Sequence, residues 1–198
     1  MDGLAVLCSL VISWQFAMGI LLYILASRAY SYRGIRLKQY PIIGFLTVFV
    51  FQGAMIFFIT YHGASTDLTL DVPFLPCIIS SLLIGALYPL TQVYQHDEDS
   101  KDGVQTISML LGKRGSFFFS MILFFSATIL LYFLFEEHLN FFYLYLLVLL
   151  PVVLFFMYWM IKVWQNDAAA DFRHSLRMNI LSTLCTTAFF ITLIIMNH

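Results

Sequence analysis

Apolar residues run through this chain in long blocks, and polar residues interrupt them at intervals of about twenty positions. Six blocks stand out: Leu4–Ala26 (A), Pro41–Tyr61 (B), Phe74–Val93 (C), Phe117–Phe135 (D), Phe141–Val163 (E) and Leu176–Met196 (F). Each is long enough to cross the hydrocarbon layer as a helix, which rises about 1.5 Å per residue. Helix is the conformation expected, because backbone N–H and C=O groups in lipid must find partners within their own segment. Pro89 in C and Pro151 in E are expected to kink their helices or end a turn. No internal repeat or low-complexity linker divides the chain. The pattern predicts an all-α, polytopic transmembrane helical bundle of six spans, with residues 1–198 forming a single integral membrane domain.

Composition sharpens this picture. A mean hydropathy of +0.88, with 18% aromatic and only 11% charged residues, excludes an ordinary soluble domain. The net charge of -1 gives no footprint for nucleic acid. Cys8, Cys77 and Cys185 sit in apolar stretches without disulfide or zinc spacing and are read as small buried residues. No basic region precedes block A, so no cleavable signal peptide is expected. Tyr61, Tyr158 and Trp164 at span ends read as interfacial anchors.

The charges then set an orientation. Arg28, Arg33, Arg36 and Lys38 lie at or in the A–B connection, Lys101, Lys113 and Arg114 between C and D, and Lys162, Arg173 and Arg177 between E and F or at their rims. These are all ten basic residues, and they occupy alternate connections only. The other connections carry Asp67, Asp71, Glu136 and Glu137. The positive-inside rule therefore predicts cytoplasmic A–B, C–D and E–F loops and outward-facing termini, in a bacterial-type inner (plasma) membrane.

One loop carries candidate chemistry. Tyr94–Thr106 holds Asp97, Glu98, Asp99 and Asp102, four carboxylates within six residues, at the end of one span and shortly before another. Continued as a helix past Val93, span C would place Gln92, Gln95, His96, Asp99 and Gly103 on one face. Mg²⁺ takes about six oxygen ligands and keeps several waters, so one or two carboxylates plus diphosphate oxygens suffice to hold it. The A–B loop adds Arg33, Arg36 and Lys38 on the same side. Facing acidic and basic loops suit a metal-diphosphate: acids for the metal, with Gln95, Asp97, Glu98 and Asp99 as candidate ligands, and cations for the phosphate oxygens, with Arg33, Arg36, Lys38 and Lys101 as candidates. His96 adjoins the cluster but is a poor Mg²⁺ ligand and is read as a packing or hydrogen-bonding residue. His62, His138, His174 and His198 are scattered at span ends and show no ligand spacing. No serine-nucleophile elbow, Gly-x-x-x-x-Gly-Lys loop or haem-attachment motif occurs.

Two stretches resemble a known family. Tyr30-Ser31 followed by Arg36-Leu37-Lys38-Gln39-Tyr40-Pro41-Ile42-Ile43-Gly44 resembles a loop of the UbiA-type intramembrane prenyltransferases. Gln95 through Thr106 and on to Leu111-Gly112 resembles that superfamily's second Asp-rich motif, in which Asp-x-x-x-Asp is followed by Gly-x-x-Thr and then Leu-Gly. Asp99, Gly103, Thr106 and Gly112 match it, whereas Gln95 stands at the first aspartate, so that Asp97 or Glu98 would have to supply the missing charge. The resemblance covers essentially the whole chain. It implies Mg²⁺-dependent transfer of a polyprenyl group from its diphosphate to a small, often aromatic acceptor within the membrane. An allylic cation would develop in a dry cavity, where aromatic rings could stabilise it through their π faces.

The family's bundle has about nine helices and a first Asp-rich motif between the second and third, and no Asn-x-x-x-Asp-x-x-x-Asp occurs here. Spans A–F are accordingly expected to resemble helices four to nine, the chain to be N-terminally truncated, and its activity alone to be lost. Removing three helices also fits an outward-facing N-terminus. The alternative is a non-catalytic membrane protein or a remnant of such an enzyme. A CDP-alcohol phosphotransferase lacks support, because Asp-Gly-x-x-Ala-Arg is missing. Apart from the rims of E and F, the spans hold no charge, which argues against an ion pathway.

Overall fold

The computed structural model describes residues 1–196, so His198 lies outside the described residues. The chain folds into α1 (Asp2–Ser9), α2 (Trp14–Ser31), α3 (Pro41–Ala64), α4 (Phe74–Gln92), α5 (His96–Lys101), α6 (Ile107–Leu134), α7 (Leu139–Gln165) and α8 (Phe172–Met196). Five of these, α3, α4, α6, α7 and α8, are long and apolar enough to cross a membrane. The helices run on through Pro89 and Pro151, so neither ends a turn.

Span A is the exception to the six-span expectation. It breaks at Leu10–Ser13, where Ser13 is extended and its side chain accepts a hydrogen bond from the Phe16 N–H at 2.9 Å. That bond satisfies one of the donors every helix start leaves free, which makes Ser13 a good place to begin α2. The short α1 folds back along α2, and its Asp2 carboxylate pairs with Arg28. The N-terminus therefore lies at the same end of the bundle as the basic loops, and the expectation that it faces the other way is corrected. The turn itself is pinned by His62, which is buried: Nδ1 faces the Thr69 carbonyl at 2.9 Å and Nε2 faces the Ser13 hydroxyl at 2.8 Å. A carbonyl only accepts, so the partners assign the proton to Nδ1, and Ser13 donates to Nε2.

Within α3, residues Phe49–Met55 form a π-helical turn. The extra residue disturbs the regular ladder, and two serines of α4 brace it. The Ser81 hydroxyl accepts from the Ala54 N–H at 2.9 Å, and the Ser80 hydroxyl donates to the Gly53 carbonyl at 3.2 Å. Gly53 lets the two backbones meet: a Cβ there would stand 2.3 Å from the Ser81 Cα.

The core is layered along the bundle. Near the basic loops, Leu90, Phe117, Phe156, Trp159 and Met178 pack together, and the Trp159 indole donates to the Ala169 carbonyl at 2.8 Å. Toward the other end, Ile79, Leu131, Tyr145 and Phe189 form a second cluster. Outward-facing Phe125, Leu147 and Ile195 present apolar surface suited to lipid. The cysteines are free; Cys77 is buried and Cys185 half-buried, but Cys8 is exposed on α1, contrary to the sequence expectation.

Interloop contacts gather the basic connections at one end. Arg36 pairs with Asp102 at 3.0 Å and Arg114 with Asp167 at 3.3 Å, while Lys113 donates to the Asp167 carbonyl at 3.1 Å. At the opposite end, Met196 lines the same hollow as Glu136, Glu137 and His138. The positive-inside rule then makes a labelling prediction. In a background without native cysteines, single cysteines replacing Ser100 and Gln165 are expected to be shielded from an impermeant thiol reagent in intact cells, and one replacing Thr66 to be labelled. The reverse pattern would invert the orientation.

Candidate functional site

The acidic segment is a separate helix, not the continuation of α4. Helix α4 ends at Gln92, and α5 begins after Gln95, so the single face expected to carry Gln92, Gln95, His96, Asp99 and Gly103 is broken by a turn. The Gln95 amide donates back to the Thr91 carbonyl at 2.9 Å and to the Tyr94 hydroxyl at 2.8 Å. Three consecutive acids on a helix point about 100° apart, and they divide accordingly. Asp97 and Glu98 are exposed, while Asp99 is buried at 9% exposure.

The following Gly-x-x-Thr punctuates the chain. Gly103 has φ of 67°, a left-handed conformation that glycine adopts without steric cost, and there α5 stops. The Val104 N–H closes the turn on the Asp99 carbonyl at 2.8 Å. Thr106 then caps α6 by accepting from the Met109 N–H. Stop and start signals three residues apart hold α5 in place.

The basic loop faces this helix. Arg36 precedes a single 3₁₀ turn, Leu37–Gln39, with φ of 44°. A side chain in that region carries a cost of about 1 kcal/mol or more, so something must hold it. Its guanidinium reaches across 66 residues of sequence to the Asp102 carboxylate at 3.0 Å and the Asp102 carbonyl at 3.3 Å. Lys38 and Arg36 both lie within electrostatic reach of Asp99. Burial pushes the Asp99 carboxyl above its ordinary range; Lys38 opposes that rise and neighbouring Asp102 adds to it, leaving the group raised overall. His96 is held below the usual imidazole range, chiefly by burial and then by Lys113. Its Nε2 meets the Ser108 hydroxyl at 2.8 Å, and Ser116 continues that chain by donating to the Ser108 hydroxyl at 3.0 Å. His96 is thus a hydrogen-bonding residue, as the sequence suggested.

Beside Asp99 lies a polar cluster of which the sequence marked only part. The Tyr30 and Tyr88 hydroxyls are hydrogen-bonded to each other, and both lie within electrostatic reach of Asp99. Gln92, next to Tyr88, is buried, and its side-chain oxygen has no hydrogen-bond partner among the described residues. Phe45 packs against Tyr88 at 6.3 Å and Phe119 at 5.3 Å, extending an aromatic wall into the bundle. Tyr30 was visible as part of a motif. Tyr88 was not, although its place one helical turn before Gln92 in an apolar span is a signal that could have found it.

The structure therefore brings together Asp99, Arg36, Lys38, Gln92, Tyr30 and Tyr88. It leaves Asp97, Glu98, Arg33 and Lys101 exposed at the rim and turns the Gln95 amide toward α4. Among the described residues no three carboxylate, histidine or cysteine side chains converge as a metal cage. The donors present are all oxygens, however, and include a buried carboxylate and an unpartnered amide oxygen. That set fits a Mg²⁺ ion that a diphosphate would share, since Mg²⁺ is commonly held by one or two carboxylates plus substrate phosphates.

No curated protein and no solved structure matches the chain. A family comparison does match, with the UbiA prenyltransferase family over residues 2–193. Nearly the whole bundle, from α1 into α8, falls within that match, and the chain accordingly belongs to the UbiA prenyltransferase family.

Proposed function

We propose that this end of the bundle binds the diphosphate of a polyprenyl diphosphate together with Mg²⁺, for transfer of the prenyl group to a small aromatic acceptor. The observation that supports this reading most is the buried Asp99 carboxylate faced by Lys38 and Arg36 at the mouth of an apolar bundle. Family membership supports prenyl transfer in general. Asp99, with Gln92 beside it and Asp97 or Glu98 at the rim, would hold the ion. Mg²⁺, when bound, withdraws electron density from a diphosphate leaving group.

The chain's own residues would do the rest. Lys38 presents a point charge to phosphate oxygens, and Arg33 and Lys101 extend the cationic rim. The Arg36–Asp102 pair fixes the basic loop against α5, so that these charges meet the substrate in one arrangement. The Tyr30 and Tyr88 hydroxyls can orient an acceptor hydroxyl. Phe45 and Phe119, in edge-on contact beside Tyr88, would offer apolar surface and π faces to developing positive charge.

The test is thermal stabilisation of the purified chain by inorganic pyrophosphate, with and without Mg²⁺. Stabilisation is expected only with both present, and Lys38→Ala is expected to lose about 1.5–3 kcal/mol of it, the value of a charged hydrogen bond. Stabilisation that ignores Mg²⁺ and survives Lys38→Ala would overturn the reading. A second reading, a non-catalytic binder of the same diphosphate lipids, is favoured by Gln95, which stands where the resembled motif has its first aspartate and leaves Asp99 as the buried carboxylate of the site. Binding without turnover of any prenyl diphosphate would select it.

A further inference from the structure

The cations at the basic end sort by their partners. Arg28, Arg36 and Arg114 pair with Asp2, Asp102 and Asp167. Lys38 faces Asp99, Lys101 ends the acidic helix, and Arg33 is exposed in the loop before the 3₁₀ turn. Lys113 donates to the Asp167 carbonyl at 3.1 Å. Lys162, Arg173 and Arg177 remain, on the adjoining ends of α7 and α8, and none has a carboxylate within ion-pair distance among the described residues. The nearest acid in sequence, Asp171, is already engaged. It accepts from the His174 backbone N–H at 2.8 Å and faces His174 Nδ1 at 3.0 Å.

These three cations share one structural support. The Lys162 ammonium stands 5.7 Å over the Tyr158 ring. His174, from α8, lies against the same Tyr158 at 6.4 Å and stacks on Trp159 at 6.1 Å with an interplanar angle of 12°. Arg173 and Arg177 flank His174, four positions apart on α8, and both are exposed. Tyr158 thus joins the lysine of one helix to the arginine-bearing turn of the next. Tyr158 and Trp164 are themselves exposed, as are the apolar Leu154 and Ile161 on α7 and Leu176 and Ile180 on α8.

We infer that this patch binds the headgroup of an anionic phospholipid. Three cations without carboxylate partners at the ends of two membrane-crossing helices complement a phosphodiester, exposed aromatic rings mark the headgroup depth, and Leu154 and Ile180, further along the two helices, can lie along acyl chains. A free phosphate ion would use the cations but leave the aromatic and apolar surface without a partner. Lys162, Arg173 and Arg177 are not among the residues gathered around Asp99, so the inference does not depend on the proposed chemistry there.

The experiment is native mass spectrometry of the protein released from vesicles of mixed phosphatidylcholine and phosphatidylglycerol. The unaltered chain is expected to retain phosphatidylglycerol in preference. Arg173→Gln with Arg177→Gln should weaken that retention about thirtyfold, from roughly 1 kcal/mol per basic residue near the surface. The charge-matched pair Arg28→Gln with Arg114→Gln, whose cations already have carboxylate partners, should keep it. Equal loss in both pairs would show a diffuse field and overturn the site. Displacement of the lipid by millimolar inorganic phosphate would make the ligand a soluble anion and likewise overturn it.

Discussion

Asp99→Asn is expected to abolish Mg²⁺-dependent pyrophosphate binding and, at the same time, to stabilise the ligand-free protein at neutral pH. The first effect follows from removing the buried carboxylate that faces Lys38 and Arg36. Loss of a direct metal ligand should weaken binding by at least about 10²-fold, or ~2.8 kcal/mol. The second follows from the raised Asp99 carboxyl, whose burial disfavours the ionised form. The sign is set by proton linkage. A carboxyl raised in the fold binds its proton more tightly there than in the unfolded chain, so the fold loses stability as pH rises from the ordinary carboxyl range through the raised value. Asparagine resembles the protonated form and escapes that loss. The melting temperatures of the two proteins should therefore converge in acid and separate toward neutrality, with the variant higher. Both properties are read on one sample, by melting with and without Mg²⁺-pyrophosphate across pH. A variant that binds normally would remove Asp99 from the site, and one that melts lower at neutral pH would make its role structural.

Gly53→Ala is expected to be among the most damaging single-methyl changes in the bundle. The added carbon would meet the Ser81 Cα at 2.3 Å and the Ser81 backbone nitrogen at 2.8 Å. Neither atom can move without shifting α4, which carries Tyr88 and Gln92 to the site. Overpacking of this kind costs about 1–3 kcal/mol, and Gly53→Leu should exceed it. Gly63→Ala is the comparison. Its new carbon would meet the Phe16 ring at 2.5 Å, and a ring can swing aside where a backbone cannot. Melting in detergent should show a clearly larger loss for Gly53→Ala. Equal losses would mean that close backbone approach is not what position 53 requires.

The long helices were legible because lipid leaves no alternative for twenty apolar residues. Hydropathy averages over turns, though, and span A shows the consequence: Leu10-Val11-Ile12 is as apolar as any helix interior, and Ser13 alone marks the break. The end of α4 was hidden for the opposite reason. Val93-Tyr94-Gln95 contains neither glycine nor proline, so nothing local announces a turn there. Gly103 and Thr106, which do announce one, behave as their chemistry dictates. Within the site, the expectation that acidic and basic loops face each other agrees with the placement of Lys38 and Arg36 against Asp99. What a linear reading could not give is the division of labour among the acids. Asp102 holds Arg36, Asp99 turns inward and Asp97 and Glu98 face outward, because helix phase and a contact 66 residues distant decide it. Tyr88 carries no mark of its role, because a tyrosine near a span end is ordinarily an interfacial anchor.

The π-helical turn at Phe49–Met55 also makes this chain unevenly tolerant of changes in its length. It already contains the surplus residue that an α-helix of the same reach would lack. Deleting Phe51 can therefore be absorbed by relaxation to ordinary helix, leaving both flanks in their present phase. The same deletion at Leu46, in the regular stretch before it, has no slack to draw on. It would rotate one flank by about 100° against the other and carry Gly53 away from Ser81. A one-residue gap is thus nearly silent at one position and disruptive five positions earlier, with hydrophobic residues lost in both cases.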